Sequence, residues 1–242
     1  MSASLGLCII RGMKRLTLGL EWIRTIAAAL LLAGPVVLGE EVADHGWALG
    51  MEGSTLGTGA RVSFPLHPKL NGRLTGHYAG LSYRDTVDDK DYDVKVSLGT
   101  AAILLDWYPG PGKFCVSGGL VVNGNDVEGS AVPRRSSQIG NNLYTPEEIG
   151  TLRMEMDFPA VAGYLGFGFG HKTDPEAHWA ILLDFGVMFG PEPDISLTAN
   201  GSLSGEPGFE ADLALERENF EDDYGSVLRF YPVLSLGLGY RF

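Results

Sequence analysis

Apolar side chains recur at every second residue in one segment after another of this chain. The last eleven residues show it most plainly. Phe242, Tyr240, Leu238, Leu236 and Leu234 fall on one side of an extended chain, and Arg241, Gly239, Gly237 and Ser235 fall on the other. A period of two puts alternate residues on opposite faces of a strand. The reverse of the apolar face carries Ser, Gly and one Arg, not the several long charged side chains that a water-facing sheet presents. That combination suits a lipid-facing strand, because in hydrocarbon every backbone polar group must pair inside a closed sheet. By this pattern the chain divides into eight candidate strands, roughly 47–54, 58–66, 72–84, 93–108, 113–125, 158–170, 178–190 and 228–242. In the seventh, Trp179, Ile181, Leu183, Phe185, Val187 and Phe189 alternate with Ala180, Leu182, Asp184, Gly186 and Met188.

The connections alternate in kind. Short turns at 67–72, 109–112 and 171–177 are interleaved with longer segments at 85–93, 126–157 and 191–227. Short periplasmic turns and long external loops characterise outer-membrane barrels. The expected fold class is therefore all-β, a transmembrane up-and-down antiparallel β-barrel of about eight strands with both termini periplasmic. In the last long segment, Phe209, Leu213 and Phe220 share one stripe of a short helix, which would either cap the barrel mouth or pack against its own loop.

The amino-terminal region points to export. A basic cluster of Arg11, Lys14, Arg15 and Arg24 precedes an apolar run from Ile26 to Leu38 that is broken by Gly34-Pro35 and is too short to span a membrane as a helix. Val37 and Gly39 suit a cleavage site, so residues 1–39 are read as a signal peptide and 40–242 as one outer-membrane barrel domain; Met13 offers an alternative start. Cleavage leaves 14 basic against 29 acidic residues, a formal charge of −15, which disfavours nucleic acid as a partner. Cys115 is then the only cysteine, so no intramolecular disulfide is available.

Candidate chemistry lies along the inward parity. Arg61, Arg73, His77, Lys95, Asp184 and Arg241 fall on it, with Asp106 near the wall, and Asp184 is the one acid in an otherwise cationic set. Eight strands enclose a space just wide enough for side chains to fill, so these groups either pair with one another or line a narrow polar conduit. Asp89-Lys-Asp-Tyr-Asp93 begins like a calcium loop but has Val94 and Thr100 where Gly and Glu are needed. No nucleophile elbow, phosphate loop or zinc-spaced His set occurs, so no catalytic residue, metal or cofactor is expected, and the chain reads as a non-enzyme.

The terminal Phe242, with Tyr240 and Leu238, resembles the carboxyl-terminal signature by which the barrel assembly machinery of Gram-negative bacteria reads its substrates. Leu104-Leu-Asp-Trp-Tyr-Pro109, Tyr164-Leu-Gly-Phe-Gly-Phe-Gly170, Asp184-Phe-Gly-Val-Met-Phe189 with Asp194-Ile-Ser-Leu-Thr-Ala-Asn-Gly201, and Tyr231 onward to Phe242 look like a group of small proteobacterial outer-membrane barrels, similar to those proposed to pass basic amino acids such as ornithine. The resemblance implies an outer-membrane, porin-like protein among lipids and lipopolysaccharide, acting as a structural barrel or a narrow passive channel for a small solute. The alternatives are a surface interaction protein presenting acidic loops and, third, a lipid-modifying enzyme. Amino-terminal sequencing of membrane-extracted protein should return Glu40 as the first residue; an intact Met1 or Met13 would overturn the processing reading.

Overall fold

A computed structural model describes residues 46–87, 90–170 and 178–242; the proposed signal peptide, Asp89 of the acidic run and the turn 171–177 lie outside the described residues. In chain order the strands are β1 (Ala48–Ser54), β2 (Gly57–His67), β3 (Leu70–Val87), β4 (Lys90–Trp107), β5 (Phe114–Asn123), β6 (Asp126–Pro133), β7 (Ser137–Ile139), β8 (Asn142–Tyr144), β9 (Leu152–Asp157), β10 (Val161–Phe169), β11 (Trp179–Phe189), β12 (Asp194–Ala199) and β13 (Phe230–Arg241). Among the described residues two helices, α1 (Pro146–Ile149) and α2 (Pro207–Leu228), lie between the strands.

Eight strands, β1, β2, β3, β4, β5, β10, β11 and β13, form an antiparallel ring in which each pairs with the next. It closes where β13 meets β1, with Ala48 opposite Arg241 and Ser54 opposite Ser235. These are the eight segments that alternation marks in the sequence, and closure removes exposed edges from the ring. The tight β1–β2 connection turns on Gly57, whose φ of 112° is a conformation that favours glycine. Alternation sorts the side chains as the sequence implies. Met51, Ile103, Leu120, Leu165, Ile181 and Leu238 are exposed on the outer wall, and Arg61, Asp106, Ser117, Tyr164 and Asp184 are buried within.

Two of the longer segments are not loops. β3 and β4 are each 18 residues long and pair along their whole length, so they rise well above the other strands. β4 changes partner on the way. Residues 100–107 pair with β5 and close the ring, whereas residues 90–97 pair with β6, which pairs with β9, which pairs with β12. The switch point is stitched at Gly99, whose carbonyl accepts from the Gly124 N–H at 2.8 Å and whose own N–H donates to Asn125 Oδ1 at 3.0 Å. An upper sheet, β4–β6–β9–β12, thus grows out of the barrel wall.

One face of this sheet is apolar and takes α2. Phe220 packs with Tyr92, Ala131, Met154, Met156 and Ile195, while Phe209 and Leu213 pack with Ile139, Ile149 and Leu152. The three helix residues share a stripe, as their spacing requires, and each fully buried side chain of this kind contributes about 1.5–3 kcal/mol. The helix therefore packs on the domain built by the long segments, and its last residues reach the barrel mouth at Leu228. A polar latch holds the other end of the assembly. The Asp212 carboxylate on α2 accepts from Tyr144 Oη at 2.6 Å and Asn142 Nδ2 at 2.7 Å, both on β8.

Those hydrogen bonds, the one from Tyr144 first, hold Asp212 below the ordinary carboxylate value of 3.8. A depressed folded value means that the latch contributes fully above pH 3.8 and is lost as pH falls through the lower folded value. Asp212→Ala should therefore speed limited proteolysis within α2 at neutral pH while the barrel stays intact, and acidification should bring wild type to the same behaviour. Equal protection of mutant and wild type at neutral pH would show that the latch carries no weight.

Candidate functional site

Inside the ring, the inward side chains of five strands converge on one ionic chain. Arg61 of β2 contacts Glu52 of β1, with Nε to Oε2 at 2.6 Å, and its Nη2 reaches both Glu52 and Asp184 of β11. Asp184 Oδ1 also receives Arg73 Nη1 of β3 at 2.8 Å, and Arg73 Nη2 continues to Asp106 Oδ1 of β4 at 2.9 Å. Hydroxyls complete it: Thr75 donates to Glu52 at 2.8 Å, Ser117 to Asp106 at 2.6 Å and Ser235 to Asp184 at 3.2 Å. His77 Nε2 lies 2.8 Å from Glu52 Oε1. No side chain in these ion pairs is more than 7% exposed. Small inward residues make the room; a Cβ on Gly50 would sit 2.9 Å from Arg61 Cγ.

Above this chain the lumen turns apolar. Leu56, Leu104, Val121, Ala162, Tyr164, Met188 and Val233 pack into one buried cluster across the bore. The space left among the charged groups and the underside of this plug is about 30 Å³, the room of roughly one water. On the far side of the plug the bore opens again. Between the barrel mouth and the upper sheet lies a cavity of about 400 Å³. Ala162, Met188 and Tyr231 form its floor, and Leu98, Val127, Met156, Phe158 and Leu228 line it from the upper sheet and α2.

Of the residues singled out in the sequence, Arg61, Arg73, His77, Asp106 and Asp184 are brought together. Two are not. Lys95 is exposed on the outer face of β4, opposite Glu128 of β6, because Thr100, Leu104 and Asp106 give the inward side of β4 to even-numbered positions. Arg241 stands at the lower end of β13, six residues below Ser235 and so about 20 Å along the strand from the ionic chain. Nor is Asp184 the one inward acid, since Glu52 shares the lumen with it. The signal for Glu52 is present in Leu49 and Met51, whose outward parity sends it inward. Phe242 and Leu238 lie exposed on the outer wall, and the Tyr240 ring stands 4.9 Å from that of Trp179 and 5.2 Å from that of Phe242, an aromatic girdle at the turn end.

Asp184 bridges both arginines, so Asp184→Ala takes one carboxylate from each and leaves Arg61 with Glu52 and Arg73 with Asp106; breaking a buried pair outright costs about 3–5 kcal/mol, and the remaining carboxylates hold the loss below that. The mutant barrel should lose its folded, faster-running form on unheated gels at a clearly lower temperature than wild type. An unchanged transition would mean that the chain of ion pairs does not hold the wall.

No protein-family model matches the chain, and no curated protein does. Among solved structures it is similar to Acinetobacter baumannii CarO2, with a TM-score of 0.59 and 17% identity, covering 82% of this chain and 99% of that one. It is likewise similar to Acinetobacter baumannii CarO, with a TM-score of 0.55 and 20% identity over 84% of this chain and 100% of that one. At such identity the likeness is one of fold, and with the closed ring of eight strands it makes this chain an all-β, antiparallel barrel of the outer-membrane type.

Proposed function

We propose that the protein spans the outer membrane of a Gram-negative bacterium as a closed barrel and acts at the cell surface through the domain built by β6–β9, β12 and α2. Several features support the membrane reading. Large apolar side chains stand exposed all round the ring, from Met51 and Ile103 to Leu165, Ile181 and Leu238, which in water would make a very large unsupported patch. β1 begins and β13 ends on the side of the short turns, so a periplasmic position for the termini puts the upper sheet outside the cell. Phe242, Tyr240 and Leu238 then stand where the assembly machinery would read them.

The filled bore is the observation that carries the choice between conduit and mount. A basic amino acid crossing the lumen would have to part Arg61, Asp184 and Arg73 and then displace the apolar plug. Separating such pairs in a bore with room for only about one water is costly. The external part, by contrast, has its own packed core and a latched helix, the properties of a rigid binding surface. Protein reconstituted in planar bilayers should show no discrete conductance steps. A stable wild-type channel, reproducible across preparations, would restore the conduit reading and sink this one.

A further inference from the structure

We infer that the cavity between plug and upper sheet binds the hydrocarbon chain of a membrane amphiphile, entering sideways from the outer leaflet. The lining is the first ground. It is built almost wholly of apolar groups, and the volume of about 400 Å³ falls within the roughly 300–1,000 Å³ of small-molecule pockets. Its polar side chains are already engaged. Tyr231 Oη donates to the Thr55 carbonyl at 2.8 Å, Asn125 Oδ1 accepts from Gly99, Asn123 Oδ1 accepts from the Asn125 N–H, and Arg229 at the edge pairs with Glu192 at 3.7 Å. An apolar space of this kind offers water too few partners to hold it.

Leu81 is the second ground. It lies on the inward parity of β3, with Arg73 and His77, yet it is 52% exposed, because it faces the cavity and not a packed core. In the lower barrel, inward positions of the same strand carry charge; here β3 and β4 turn Leu81, Val96 and Leu98 toward the empty space. The third ground is continuity. The cavity is lined at one side by Phe189 and Phe230, which are paired across β11 and β13 and exposed on the outer wall. Inward residues and outer-wall residues thus border one apolar space at the level of the rim. A chain lying against the belt reaches the cavity along an apolar path, and a lining whose cation Arg229 is already paired selects for the chain and not for its headgroup.

The inference rests on the barrel being membrane-spanning, since the bilayer supplies the ligand. No tryptophan among the described residues lines the cavity, so Phe158→Trp places a reporter there. The mature protein would be refolded into phosphatidylcholine vesicles, floated, and titrated with 12-bromododecanoic acid, whose bromine quenches indole fluorescence on contact. Relative to the parent protein, the signal of the indole introduced at position 158 should fall to a plateau and recover on adding unbrominated dodecanoic acid. A reporter on the outer wall, Val122→Trp, should lose signal in simple proportion to the bromoacid in the bilayer. Filling the space with Val127→Phe or Leu98→Phe should abolish the plateau while leaving the heat-dependent gel shift of a folded barrel. Where a filling variant does not fold, the competition by dodecanoic acid decides alone. Proportional quenching of the cavity reporter without a plateau, or a plateau that both folded filling variants retain, would overturn the inference. Protein that fails to float with the vesicles would sink the membrane reading instead.

Discussion

Two guanidinium groups held by three carboxylates inside a wall of eight strands set the terms for the rest of this molecule. Charges are tolerated in so narrow a space only when every one is paired, and Asp184, bridging Arg61 and Arg73, ties opposite sides of the ring to each other. The outer wall can then carry a broad band of apolar side chains, because the polar requirements of the inward parity are met internally. The inward glycines follow from the same need for space.

The plug and the cavity above it continue this division by height. Low in the bore the inward positions are ionic, in the middle they are apolar and packed, and at the mouth they are apolar and unpacked. Side-chain direction is the same at all three levels; only the presence or absence of matter opposite changes. At the mouth the opposite surface belongs to β6, β9 and α2, which stand off from the plug and leave the gap.

The barrel is legible in the sequence because its strands are long enough for alternation to stand out. β10, β11 and β13 each carry at least four outward large apolar residues, interleaved with inward glycines. The upper sheet is not legible, because β6, β9 and β12 are only six to eight residues long and their outer faces carry Asp126, Glu128, Arg153, Glu155 and Asp194, which read as loop. Their apolar partners, such as Met154, Met156 and Ile195, are too few per segment to announce a strand. The stripe on α2 is visible since three aromatic and aliphatic residues suffice to mark a helix face. Within the site, parity finds the arginines and Asp184 but misplaces Lys95, because Val94, Val96 and Leu98 make the even positions of upper β4 look lipid-facing, whereas Ile103, Leu105 and Trp107 put the odd positions outward along the whole strand. Glu52 escapes notice in a strand of seven residues with two glycines, where the outward large residues are only Leu49 and Met51.

The passage of β4 from one partner to another has a mechanical meaning. Because a single 18-residue strand belongs both to the ring and to the external sheet, no flexible joint separates the two at this point. A pull along the strand axis is borne by rows of β4 hydrogen bonds loaded in parallel, not peeled one at a time. A tether built in this way transmits tension from the cell surface directly into the barrel wall, and the envelope, not the loop, becomes the compliant element.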